Sequence, residues 1–120
     1  MDINLVILSG RVVRIFDLKY WPDGTPWMAL SLVTTKRLGH DTHSQFHRVV
    51  LVGRFTESVQ MELDTQQEIR LTGELTHRKA GETWITEVRV DSPSNLEMGQ
   101  KRRRPSDNAA GSGAEQTVEA

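Results

Sequence analysis

The 120-residue chain has no cysteine. That absence rules out a disulfide framework and any thiolate-held metal, and makes a reducing, cytoplasmic setting the default expectation. Long apolar runs are missing as well. The longest run only to four residues, as in Leu5 to Leu8, far too short for a membrane span or the core of a signal peptide. Basic surplus is also absent. Residues 1–98 hold 11 Lys/Arg against 13 Asp/Glu, a net of −2. Phosphate binding draws on local positive charge, so a nucleic-acid site here has to be a patch supported by stacking. Catalytic signatures are missing too: no glycine-rich phosphate loop, no nucleophile elbow, no cysteine nucleophile, and only scattered carboxylates. An enzyme is therefore not expected.

What is present is strand-like. Asn4 to Val13 is rich in β-branched residues, and its central Gly10 suggests a bulge or sharp bend. Pro22-Asp23-Gly24 signals a turn. Trp27 to Thr35 alternates Met28, Leu30 and Leu32 against Ala29 and Ser31, which predicts a second strand. Lys36 to Gln45 is a polar segment, with Leu38 its one large apolar residue, and reads as a long exposed loop. Phe46 to Val52 is a third strand, ending at Gly53. Phe55, Val59 and Leu63 then form one apolar stripe at i, i+4, i+8 on a short helix, suited to plugging a core. Glu68 to Thr76 alternates cleanly, Lys79 to Glu82 reads as a hairpin connection, and Thr83 to Val90 is the fifth strand.

The order β-β-β-α-β-β, with the helix between strands three and four, predicts an all-β fold. That order matches the five-stranded Greek-key barrel of the OB-fold, which is the expected architecture. The expected domain is 1–92. Residues 93–120 read as a disordered tail with small residues and a basic cluster, Lys101 to Arg104, which is either a phosphate-binding arm or a solvated linker.

Two constellations bear on chemistry. His40, His43 and His47 are spaced three and four apart, which on a helix would suit zinc. Their strand and loop setting argues against that geometry, so no metal or cofactor is expected. Single strands of nucleic acid are held by aromatic faces that stack on bases and by cations that track phosphates. The candidates are Phe46 with Arg48, Trp21 and Trp27 around the first turn, and Trp84 on the fifth strand, with Lys36, Arg37, Arg54, Arg78 and Lys79 supplying charge. Each aromatic has a rival role in the core or a subunit interface.

Phe46-His47-Arg48-Val49-Val50-Leu51-Val52-Gly53-Arg54 resembles the third strand of the bacterial single-stranded DNA-binding protein (SSB) family, which carries an aromatic-His-Arg-Val-Val pattern. Asn4 to Val12 is similar to that family's opening strand, and Lys19-Tyr20-Trp21-Pro22-Asp23-Gly24 to its Arg-Tyr-x-Pro-(Asn/Asp)-Gly turn. Leu30 to Thr34 and Ile69 to Leu75 resemble two further strands. The resemblance spans residues 3 to about 90, in the family's order.

It implies binding of single-stranded DNA without sequence specificity in replication, recombination or repair, by a cytoplasmic, nucleoid-associated homotetramer. Phe46 takes the place of a stacking tryptophan. Leu38, Val52 and Ala80 stand where the family commonly has further aromatics. The closing residues Glu115 to Ala120 lack the family's acidic Pro-Phe tip, so a role in recruiting replication proteins is not implied. Two alternatives remain: a dimeric protein like primosomal replication protein N, and an OB-fold protein-interaction module that has lost DNA binding.

Overall fold

The computed structural model describes residues 1–99. Seven strands follow in chain order: β1 (Val6–Ile15), β2 (Lys19–Tyr20), β3 (Pro26–Leu38), β4 (Asp41–Val52), β5 (Glu68–Ala80), β6 (Thr83–Val90) and β7 (Leu96–Met98). Helix α1 (Phe55–Glu62) lies between β4 and β5, and a 3-10 turn (Pro93–Asn95) precedes β7. Five long strands close a barrel in the order β1-β3-β4-β6-β5, and β5 returns to β1. All these pairings are antiparallel except β4 with β6. This is the OB-fold barrel. Among the described residues no helix is long and apolar enough to cross a membrane.

Side chains alternate across a strand, so every second residue points inward. The inward set is Val12 on β1, Met28, Leu30 and Leu32 on β3, and Val49 and Leu51 on β4. Ile69 and Leu71 on β5 and Val88 and Val90 on β6 complete it. Val59 of α1 and Leu63 just after it close one end, with Phe55 packed alongside, as the apolar stripe predicts. A second, smaller cluster lies on the outer face, where Ala29, Val50 and Val52 are covered by Phe16 and Trp27.

Gly10 sits where β1 passes from pairing with β5 (Val6 to Arg11) to pairing with β3 (Arg11 to Ile15). A Cβ at Gly10 would overlap the carbonyl oxygen of Val33. Its role is therefore close backbone approach at the barrel seam, and the register shift itself falls between Val12 and Arg14.

Two expectations need correcting. Lys36 to Gln45 is a hairpin rather than a loop: β3 and β4 stay paired out to Leu38 and Asp41, joined by Gly39 and His40. Gly39 has φ of 65°, the positive value a two-residue turn with glycine first needs. The arm is polar on both sides, so no apolar alternation betrays it. The folded part also runs past residue 92, because β7 pairs with β5 through Ile69↔Met98 and Leu71↔Leu96, and Leu96 packs on the core. Three residues are too few for periodicity to reveal. The remainder of the tail, with its basic cluster, lies outside the described residues.

Candidate nucleic-acid interface

Register decides which candidates share a face. On β3 and β4 the outward pairs are Trp27↔Val52, Ala29↔Val50, Ser31↔Arg48, Val33↔Phe46, Thr35↔Ser44 and Arg37↔Thr42. Phe46 is 49% exposed and therefore not a core residue. Arg48 lies two residues along, on the same side. The parallel β4–β6 ladder sets Val50 opposite Arg89, and β5 faces β6 through Thr76↔Glu87 and Arg78↔Ile85. One outer face thus carries Phe46, Arg48, Arg78, Glu87 and Arg89.

Glu87 organises the centre of this face. It is 6% exposed. Its Oε2 accepts hydrogen bonds from Arg48 Nε at 2.5 Å and Arg78 Nη2 at 3.1 Å, and its Oε1 accepts one from Arg78 Nε at 3.2 Å. Burial pushes the Glu87 carboxyl up, but the hydrogen bonds and charges of Arg78 and Arg48 outweigh it and hold the group below its ordinary value of 4.5. A carboxyl with a lowered folded value stabilises above the unfolded value, and that contribution is lost as pH falls through the folded value. The stability gap between the native chain and Glu87→Gln is therefore expected to shrink as pH drops below 4.5. Thermal melts from pH 7 to about 3 check this, and a gap constant across that range would contradict it.

Aromatic rings with cations over them border this centre. Arg14 and Arg48 lie 4.6 and 5.6 Å from the centroid of Phe16. Trp21 and Trp27 stack with centroids 6.5 Å apart and planes at 29°. Lys19 sits 5.9 Å from Trp27, and Arg89 5.7 Å from Trp21. The Trp21 segment is anchored on both sides. The Tyr20 hydroxyl donates to Glu57 of α1 at 2.6 Å, and Asp23 closes the turn by accepting from Thr25 N–H at 3.0 Å.

The structure does not bring all ten candidates together. Arg37 shares the Phe46 side of its arm, whereas Lys36 pairs with His43 on the other side. Trp84, 66% exposed, pairs with Lys79 on the opposite side of the β5–β6 arm from Glu87 and Arg78. Arg54 stands at the start of α1, beyond the end of β4. Of the three spaced histidines, His47 bonds Thr34 Oγ1 at 2.8 Å and His40 lies in the arm's turn. Among the described residues no three His, Asp or Glu side chains gather as metal ligands. Sequence reasoning missed Arg14, Phe16, Glu87 and Arg89. The last two were within reach, because Val88 and Val90 point inward and leave Glu87 and Arg89 outside.

The fold matches a Plasmodium falciparum SSB solved in complex with single-stranded DNA, with a TM-score of 0.71 and 20% identity. The match covers 82% of this chain and 94% of that one. At that identity the likeness speaks for the barrel alone. The family profile described as "Single-strand binding protein family" matches residues 3–98, from before β1 to the end of β7. The chain belongs to the single-strand binding protein family.

Proposed function

We propose that this chain binds single-stranded DNA with little sequence preference, as a non-catalytic protein of replication, recombination or repair in the cytoplasm, associated with the nucleoid. The observation that carries the reading is the shared outer face. Phe46 offers a ring for stacking, and Arg48 and Arg78 stand beside it within reach of a phosphate backbone. Stacking is worth about 1–3 kcal/mol per base and does not depend on base identity, which suits a body whose net charge is slightly negative. Arg37 extends the face along the β3–β4 arm. Trp21 and Trp27 extend it at the other end. Trp84, Lys79, Lys36 and Arg54 would meet only a strand that wraps around the barrel.

Anisotropy of a labelled oligo-dT, competed with mixed-sequence single strands and with duplex, tests this. Mixed single strands should compete within about tenfold of one another, with duplex much weaker. Three or four phosphate contacts per chain would give a log–log salt slope of about −2 to −3. Duplex competing as well as single strands would overturn the reading. No binding at low salt would favour the protein-interaction module.

We further propose a homo-oligomer, with four chains as the leading number and two as the runner-up. Ile3, Leu5 and Ile7 are all more than half exposed and stand at alternate positions from the N-terminal segment into β1, an apolar stripe of the kind that marks an interface. Asn4 between them is pinned to Leu75, its Nδ2 donating to the carbonyl at 2.9 Å and its Oδ1 accepting from the N–H at 2.8 Å. The stripe is thus presented on fixed backbone. Light scattering should give four chains per particle. A monomer at micromolar concentration would contradict the proposal.

A further inference from the structure

Between the Trp21–Trp27 pair and the β5–β6 arm lies a cleft of about 400 Å³. Val50 and Val52, 8% and 5% exposed, form an apolar floor. The two tryptophans form one wall, and Arg78, Arg89 and Thr76 lie on the other. Its volume is near the lower end of the ~300–1,000 Å³ typical of small-molecule sites. Flat aromatic wall, apolar floor and polar rim are together what an unstacked nucleobase requires. The ring buries against Trp21 or Trp27, and the sugar-phosphate stays near a guanidinium.

We infer that this cleft is a single-nucleotide subsite, taking one base flipped from the strand and favouring bases with a carbonyl-rich edge. The preference follows from which polar groups remain available. Glu87 also borders the cleft, but three guanidinium hydrogen bonds already occupy most of its acceptor capacity. Arg78 and Arg89 only donate. Thr76 Oγ1 gives its proton to the Glu87 carbonyl at 3.3 Å and keeps only acceptor capacity, so the two guanidiniums leave donors in excess. Such a rim pairs with the carbonyl oxygens of thymine or guanine better than with the exocyclic amines of cytosine or adenine. His77 offers no ring acceptor to the cleft, because its Nδ1 is tied to Thr86 Oγ1 at 2.9 Å on the side of the β5–β6 arm that carries Lys79 and Trp84. Because Val52 lies in the floor, the aliphatic residue makes room for the base while the tryptophans supply the stacking surface.

This inference rests on the proposed single-strand binding, and the test separates the two. A short oligo-dT carrying 5-iododeoxyuridine is bound to the full chain and irradiated, and the adducts are mapped by peptide mass. The inference expects adducts on Trp21 or Trp27. It also expects dT to bind more tightly than dC by about three- to tenfold, a gap that narrows in Trp21→Leu. Trp21→Leu should weaken oligo-dT by about 5- to 20-fold, and Trp27→Phe, which keeps an aromatic wall, by much less. Intact binding with adducts confined to Phe46 or Trp84 would overturn the subsite while sparing the single-strand reading. Equal affinity for dT and dC would overturn the carbonyl preference. No binding of any oligonucleotide would overturn both the reading and the subsite.

Discussion

Phe46→Ala is expected to weaken binding of oligo-dT by about 10- to 100-fold and to leave the melting temperature nearly unchanged. The two halves of that expectation come from the same position in the sheet. Phe46 lies on the outer side of β4, opposite Val33, and half of it is open to solvent. Inward neighbours such as Val49 and Leu51 carry the core without it. Removing the ring costs one stacked base, about 1–3 kcal/mol, and little packing. Phe46→Trp should bind at least as tightly as the native chain, because the larger face stacks better. Anisotropy titrations with parallel thermal melts read both quantities. A large drop in stability with unaltered affinity would mean that Phe46 serves the fold instead.

Gly10→Ala has the opposite signature. A Cβ there meets backbone, the Val33 carbonyl, and not the end of a flexible side chain. No rotamer change relieves the overlap, so β1 has to separate from β3 at the seam where the barrel closes. Overpacking typically costs about 1–3 kcal/mol, and a backbone clash belongs at or above the upper end. For a domain of this size, a loss of about 3 kcal/mol lowers the melting temperature by roughly 12–24 °C. Gly39→Ala is the control. Nothing lies within 4 Å of a Cβ at Gly39, and only its φ of 65° resists substitution. That should cost about 1 kcal/mol. Equal effects at the two positions would show that Gly10 is not a point of close approach.

The barrel was legible in the sequence because its strands bury one side. Met28, Leu30 and Leu32 alternate with outward residues, as do Ile69 and Leu71, and the Phe55-Val59-Leu63 stripe marks the helix. The two arms were harder. From Lys36 to Gln45 both sides face water, so neither composition nor period distinguishes a paired strand from a loop. The same loss of alternation scattered the site prediction. Arg78 and Lys79 look equivalent in sequence, yet neighbouring residues on a strand point to opposite sides, and only Arg78 reaches Glu87. Glu87 reads as an ordinary exposed carboxylate until the fold brings Arg48, 39 positions away in sequence, against it. Phe16 and Trp27 cover Ala29, Val50 and Val52 on the outer face, a long-range arrangement that no local pattern encodes.

The single-strand reading stands on aromatic stacking combined with phosphate contacts on one face, and intrinsic tryptophan fluorescence during titration with oligo-dT tests that combination most directly. Trp21 and Trp27 border the face and Trp84 lies on the opposite side of the β5–β6 arm, so their emission reports whether bases arrive. The account predicts strong quenching at low salt that weakens as salt is raised. Unchanged emission at low salt, together with no shift of the oligonucleotide on a native gel, would contradict it.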